Sequence, residues 1–528
     1  MYSGISDQRR WTFPSVIEEQ AEAKGDAPFV TMTTGEVLSY RQLRDEAARV
    51  AGMLAAGGSG AGDRIALMVP SGPDFLRAWA GIGRLGATAV ILNSELTGAF
   101  LAHPLENSAP SALVIDAQFL PRLEGLDAAI SSVRRIFVVG TGESVGHAFD
   151  HWRSAAAFTG PLPSAADIAC IMYTSGTTGA PKGVLMPHAH CFLFGLGVLE
   201  NLGVTQDDHY YVCLPLSHAN GLLMQLGATL IAGATATVRE RFSATNWLTD
   251  LRRSGATLTN TLGAISAFVI AQPPGESDRE HRLRAIASAP NHPDHDRTWR
   301  ERFGIAEVLG GYGMTEINIP LYGRRGEVRP GTCGRPYERF EVQIADPGTD
   351  IPVAPGEVGE IMVRPLVPHG FMAGYLGLAD KTVEAWRNLW FHTGDAGRMD
   401  SEGYVTFADR IKDCIRRRGE NISATDIERT LTELPGVKEV AAFAVPSDIP
   451  GGEDEIMCAV VPHAAAKVDP AALAAHAKAQ MPRYAQPRYI EFLPDLPRTA
   501  TEKVKKEDLR ARGITPATLD LQALVPTG

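Results

Sequence analysis

Hydrophobic positions along the chain fall into short runs separated by stretches of helical spacing. Residues 64–69 form an apolar run closed by Pro70-Ser71-Gly72, and read as a buried strand. Pro73-Asp74 then opens a helix whose apolar side runs Phe75, Trp79, Ile82 and Leu85. A second apolar run, 87–92, follows at once. Strand, helix and strand within about 30 residues predict a βαβ unit with parallel pairing. Further strands are predicted at 112–115, 136–139, 169–174, 234–239 and 307–309, with helical patterns between several of them. The stretch 140–167 is rich in Gly, Ser and Pro with weak periodicity, and reads as a surface connection. From about Phe340 the texture changes to short alternating strands at 340–344, 359–363 and 403–407, broken by Pro347-Gly348 and Pro355-Gly356, which predicts an antiparallel subdomain. After Lys412 a smaller α/β unit is expected, with helices at 423–434 and 470–480 and strands at 437–445 and 456–461. The fold class is therefore α/β: a large domain of mainly parallel sheet flanked by helices (1–411) with a small antiparallel subdomain, and a small C-terminal α/β domain (412–528). No internal repeat is visible.

Composition narrows the function classes. The 528 residues are 45% hydrophobic and 21% charged, an ordinary globular balance. Net charge is −11, so there is no global basic field to collect nucleic acid. The short runs Arg416-Arg417-Arg418 and Lys505-Lys506 read as solvated faces unless a phosphate lies near them. Six cysteines are scattered without C-x-x-C spacing, which leaves a zinc knuckle or a thioredoxin-like motif unsupported and suits free thiols in a reducing cytosol. Residues 1–13 are polar, so no signal peptide is expected there, and none of the usual targeting tails is expected from Pro526-Thr527-Gly528. No run of about 20 apolar residues suggests a membrane span. A cytoplasmic enzyme is the expectation, and the composition leaves room for a homo-oligomer.

The strongest local signal is YTSGTTGAPKG (173–183), directly after the apolar run 169–172. Three glycines, four Ser/Thr hydroxyls and a lysine in eleven residues make a loop able to wrap phosphate oxygens. It is not the P-loop NTPase motif, because Pro181 stands five residues after Gly176 where that motif needs its Gly-Lys pair.

Six more segments follow in order: LPLSHANG (214–221), GYGMTE (311–316), FHTGD (391–395), DRIKD (409–413), RRGENIS (417–423) and PRTATEK (497–503). Together with the loop they resemble the adenylate-forming superfamily of acyl-CoA synthetases, adenylation domains and firefly-type luciferases. More narrowly, RRGENIS and Ser288-Ala289-Pro290 resemble the crotonobetaine/carnitine-CoA ligase branch. The resemblance implies that ATP and coenzyme A are used with Mg2+, and that the small domain turns about a hinge at Lys412. It also implies the site. Thr174, Ser175, Gly176, Thr177, Thr178, Gly179, Lys182 and Thr315 would meet phosphates, and Glu316 would hold Mg2+, whose ligands are carboxylates, phosphate oxygens and water. Gly311, Tyr312 and Gly313 would meet the nucleotide, with Tyr312 stacked on adenine or simply packed in the core. Ala289 and Pro290 would approach the base, although the family's usual form has glycines there. Asp395 would bind ribose hydroxyls, with Arg410 assisting. Gly419 and Glu420 would face the thiol tunnel. Lys503 would be the catalytic lysine, although Glu502 replaces the glycine usual before it. His218 is open among three roles: gating the acyl pocket, touching the carboxylate, or purely structural. Asn220, Gly221, Leu262, Gly263 and Ile317 would form the acyl pocket, and their character suits a medium-sized, partly apolar acid. His188 and His190 read as ordinary polar residues.

These motifs imply an ATP-dependent carboxylate–CoA ligase acting on a small-molecule acid. An enzyme that loads a carrier-protein thiol is the alternative. Amino-acid activation is disfavoured because residues 214–224 contain no acid to meet a substrate ammonium. A catalytically dead homologue has no reason to keep Glu316, Asp395, Arg410 and Lys503 together.

Overall fold

The computed structural model describes residues 1–140, 146–174, 181–410, 415–417, 420–422, 424–446, 454–464, 466–481, 485–498 and 504–521. Packing divides the chain into two compact units, Met1–Glu341 with Val363–Phe391, and Val342–Met362 with His392–Gly528.

Two sheets organise the first unit. One runs Gly374–Tyr375, Lys182–Pro187, Ile168–Thr174, Thr88–Ile91, Arg64–Met68, Ala112–Asp116, Arg135–Val139 and His147–Ala148. Its interior pairs are parallel, as the βαβ pattern requires, and the first two strands close the edge antiparallel. The other runs Arg335–Pro336, Asn318–Tyr322, Glu307–Met314, Ala285–Ala289, Leu258–Leu262, His209–Val212, Thr235–Val238, Pro28–Met32 and Val37–Ser39. It too is parallel in the middle with antiparallel edges.

Helix boundaries follow local chemistry. Pro73 occupies the first turn of Pro73–Leu85, and Gly86 ends it at φ 76°, where a side chain would be strained. Ser39 and Gln42 make a reciprocal capping box for Tyr40–Ala56. Helix His188–Leu202 is buried along almost its whole length, consistent with its lack of a polar stripe.

The structure corrects the surface reading of 140–167. Within it Phe149–Ser154 forms a 3-10 turn that buries Phe149 and Trp152, a single pair of aromatics and so too few to make a periodic signal. The strand expected at 307–309 continues to Met314, because its glycines carry no hydropathy period.

The second unit holds a small sheet ordered Phe340–Ala345, Gly359–Pro365, Phe391–Met399 and Val405–Arg410, the last two antiparallel. It also holds a four-stranded sheet of Val437–Val445, Glu455–Pro462, Tyr489–Phe492 and Leu519–Asp520. Helices Ala424–Thr432 and Pro470–Gln480 pack Ile427, Leu431, Leu473 and Ala477 with Ile456 and Cys458 of that sheet. Among the described residues no helix is long and apolar enough to cross a membrane. The five described cysteines are free thiols, and Cys414 lies outside the described residues.

Candidate active site

Strands Ile168–Thr174 and Lys182–Pro187 pair antiparallel, with Thr174 opposite Lys182. These two strands flank the candidate phosphate loop in sequence. Ser175, Gly176, Thr177, Thr178 and Gly179 lie outside the described residues, but both ends of the loop are placed. At its base Thr174 Oγ1 lies 3.5 Å from Glu316 Oε1. Tyr375, on the neighbouring edge strand, donates its hydroxyl to the same oxygen at 3.0 Å. The Lys182 ammonium stands 4.0 Å above the Tyr375 ring. Burial, with Glu316 beside it, pushes the Tyr375 phenol pKa up, so it stays a donor. One tyrosine thus ties the loop's lysine to the expected metal carboxylate. Nothing in the local sequence around Tyr375 announces it.

Glu316 is 4% exposed. Among the described residues no cation pairs with it and no hydrogen bond reaches Oε2. A buried carboxylate without a counter-charge is costly, and a divalent ion sharing it with phosphate oxygens would remove that cost. The residues present therefore fit Mg2+.

The segment carrying Thr315 and Glu316 is clamped from behind by His190. Its ring is fully buried, with Nε2 2.8 Å from Thr315 O and Nδ1 2.7 Å from Gly370 O. Asn318, left-handed at φ 66°, donates Nδ2 to His190 O, and Met372 N donates to Glu316 O. This corrects the reading of His190 as an ordinary polar residue. Burial holds its pKa below the usual value, with the two carbonyls opposing. His188 is likewise buried, and desolvation lowers its pKa to about 4. The two-residue spacing of these histidines on a helix gave no sign that one faces the active-site turn.

A cavity of about 390 Å³ opens beside this turn. His218, Asn220, Leu262, Ala289, Tyr312 and Thr315 line it, as do Gly311 and Gly313. Ser288 also lines it, as does Gly310, which the sequence reading passed over. Gly221, Gly263, Pro290 and Ile317 lie outside the lining. Gly221 instead lets its helix approach Pro215, whose carbonyl would sit 2.6 Å from an added Cβ. Pro290 packs against the position of a Gly263 Cβ. His218 is reachable by solvent yet hemmed in by protein, and desolvation lowers its pKa, with Glu95 opposing. It is therefore neutral near pH 7.

Gly313 has a packing reason to be glycine. A Cβ there would stand 2.1 Å from Asn318 O and 2.5 Å from Ile319 Cδ1. Gly313→Ala is expected to cost about 1–3 kcal/mol in urea unfolding, because the strand pair must open. A midpoint unchanged from wild type would refute this.

In the second unit Asp395, buried in Phe391–Met399, pairs in register with Arg410 of the adjoining strand. Glu420 pairs with Arg417 in a short ribbon. Lys412, Gly419 and Lys503 lie outside the described residues. The segment holding Lys503 is bracketed by a bridge between Arg498 and Val504, and Arg498 is ion-paired to Glu439.

The model of the AMP-binding enzyme family matches residues 17–376, and that of its C-terminal domain matches 426–503. The chain belongs to the AMP-binding enzyme family. It is 32% identical to a sulfoacetate–CoA ligase of Cupriavidus necator over 502 residues, 94% of this chain and 96% of the relative. It is 29% identical to a crotonobetaine/carnitine–CoA ligase of Salmonella heidelberg, over 89% of this chain and 93% of that one. ATP-bound MatB from Rhodopseudomonas palustris superposes with a TM-score of 0.83 at 27% identity, covering 94% of this chain and 98% of that one. The expectation of an ATP-dependent carboxylate–CoA ligase is borne out by these relatives, as are its α/β fold and its likeness to the crotonobetaine/carnitine branch.

Proposed function

We propose that this ligase activates a medium-sized, partly apolar carboxylic acid in the cavity beside Thr315, in two steps shared between its two domains. In the first, a carboxylate oxygen attacks the α-phosphorus of ATP. The P–O bond to the β-phosphate breaks, and acyl-adenylate and pyrophosphate form. In the second, the thiol of coenzyme A attacks the acyl carbon, a proton is lost from sulfur, and AMP leaves. Adenylation is needed because a free carboxylate would have to expel oxide.

The first step brings two anions together, so its barrier is largely electrostatic. Loop residues 174–179 and Lys182 would hold phosphates. Glu316 would hold Mg2+, which supplies positive charge where the triphosphate's negative charge is concentrated. Tyr375 fixes the Glu316 carboxylate, and His190 fixes the turn that carries it. Neutral His218 at the cavity would border the reacting carboxylate without pairing with it as a cation. Tyr312 would pack on adenine, with Ala289 and Pro290 near the base, and Asp395 and Arg410 would take the ribose. Lys503 would stabilise the crowded charge during adenylation. A turn about Lys412 would then bring Gly419 and Glu420 to the pantetheine. The enzyme is assigned to the cytoplasm, in keeping with its free thiols.

The observation that most supports this reading is Glu316, buried with no cation partner among the described residues and adjoining Thr315, which lines the cavity. The test is a panel of carboxylates incubated with ATP, Mg2+ and coenzyme A. AMP, pyrophosphate and acyl-CoA are expected in equal amounts. ADP with phosphate would overturn the mechanism, and adenylation without thioester would point to a carrier-protein acceptor.

A further inference from the structure

Within the second unit, the segment that leads into Asp395 is tied to two adjacent residues, Glu360 and Ile361, on the neighbouring strand Gly359–Pro365 of the small sheet. Glu360 is 5% exposed, and its carboxylate accepts twice. His392 Nδ1 donates to Oε2 at 2.9 Å, and the backbone N–H of Gly394 donates to Oε1 at 2.9 Å. Thr393, between them, donates Oγ1 to Ile361 O at 2.7 Å and accepts from Asp395 N at 3.1 Å. His392, Thr393 and Gly394 are thus each fixed to one strand, and Asp395 is fixed through Thr393.

Gly394 stands at φ 69°, and among the described residues nothing lies within 4 Å of where its Cβ would be. Backbone conformation, rather than space, therefore calls for glycine here. This left-handed residue interrupts the extended backbone immediately before Asp395, and Glu360 holds its N–H. The His392 ring is faced from its other side as well. Asp350 Oδ2 lies 3.9 Å from Nε2, and Asp350 reaches that place from a left-handed backbone at φ 58°, uncommon for a residue with a side chain. Burying two carboxylates around one imidazole carries a desolvation cost that apolar packing of similar volume avoids. What the arrangement supplies in return is direction: it fixes how the chain enters Asp395.

We propose that Glu360 is a positioning residue for the nucleotide's sugar. With His392 it holds residues 392–394 so that the Asp395 carboxylate is aimed before ATP arrives, and the preference for an intact ribose depends on it. A carboxylate already in place accepts from ribose hydroxyls without the cost of being ordered at the moment of binding. The inference rests on Asp395 being the group that takes those hydroxyls.

The test is the ratio of kcat/KM for ATP to that for its 2′-deoxy and 3′-deoxy analogues, followed as pyrophosphate release, with the melting temperature of each free enzyme read alongside. Wild type is expected to favour ATP over at least one analogue about ten- to a hundredfold, the weight of a hydrogen bond to a charged group. Asp395→Ala should bring that ratio toward one. Glu360→Ala should lower it by about threefold or more, because Asp395 is present but no longer aimed. Glu360→Gln, whose amide oxygen still accepts from Gly394 N–H, should keep most of it. Should Glu360→Ala fail to fold, His392→Ala replaces it, removing one contact of Glu360 and leaving the other, and the ratio should fall in part. A merely structural glutamate predicts equal losses for ATP and both analogues with the ratio intact, and that result in the folded variant would overturn the proposal. A wild-type ratio in Asp395→Ala would instead bring down the ribose assignment itself, and the proposal with it.

Discussion

Lys503→Ala is expected to slow pyrophosphate release by about 10²–10³-fold while thioester formation from supplied acyl-adenylate continues near the wild-type rate. The asymmetry follows from charge. Adenylation drives a carboxylate against a triphosphate, and a fixed ammonium at that junction offsets repulsion that peaks in the transition state. Thiol attack on the finished adenylate expels AMP, which needs no such cation at the carboxylate. Residues 499–503 lie between an anchored start and an anchored end. Arg498 is bridged to Val504 and ion-paired to Glu439, and Lys505 N donates to Pro497 O at 2.8 Å. Removing the Lys503 side chain therefore leaves these flanking contacts untouched. Both half-reactions would be followed in one stopped assay, with ATP plus acid against acyl-adenylate plus coenzyme A. Equal loss in the two would show that Lys503 serves the fold or coenzyme A binding, and would end its assignment to adenylation.

How much of this was legible in the sequence differs by residue, for physical reasons. The parallel core was legible because strands such as 64–68 and 112–116 are buried on both faces and read as unbroken apolar runs. Strands Leu258–Leu262 and Ala285–Ala289 carry Thr, Asn and Ser, which face neighbouring polar groups or the cavity, so hydropathy hid them. The phosphate loop and Glu316 stand out in the sequence as candidates because the residue types concerned are local and dense. Tyr375 and His190 were not. Each acts on a partner far along the chain: Tyr375 is 59 residues from Glu316, and His190 is 125 from Thr315. Only the tertiary pairing of edge strands and a buried helix brings them to the turn.

Glu316→Gln should be the sharpest test of the metal assignment, because it removes a charge and almost nothing else. The amide keeps the shape of the carboxylate, and its oxygen can still accept from Tyr375 and Thr174. The free enzyme is therefore expected to melt at the same temperature or higher, since a buried carboxylate with no described cation partner carries a desolvation cost that the amide avoids. Adenylation should nevertheless fall by about 10²–10³-fold, the range found when one preorganised charge-stabilising group is lost. The Mg2+ concentration needed for half-maximal rate should rise as well, because a hard divalent ion prefers an anionic oxygen to a neutral one. A merely structural glutamate predicts a different pair of results: a lower melting temperature and an unchanged Mg2+ titration. Tyr375→Phe separates the two further. It removes the nearer of the two donors to Glu316 Oε1 without touching the charge, so it should shift the rate by the weight of one hydrogen bond, about three- to tenfold. If Glu316→Gln were no worse than Tyr375→Phe, the carboxylate's charge would have no part in the chemistry, and the ion would have to be sought elsewhere.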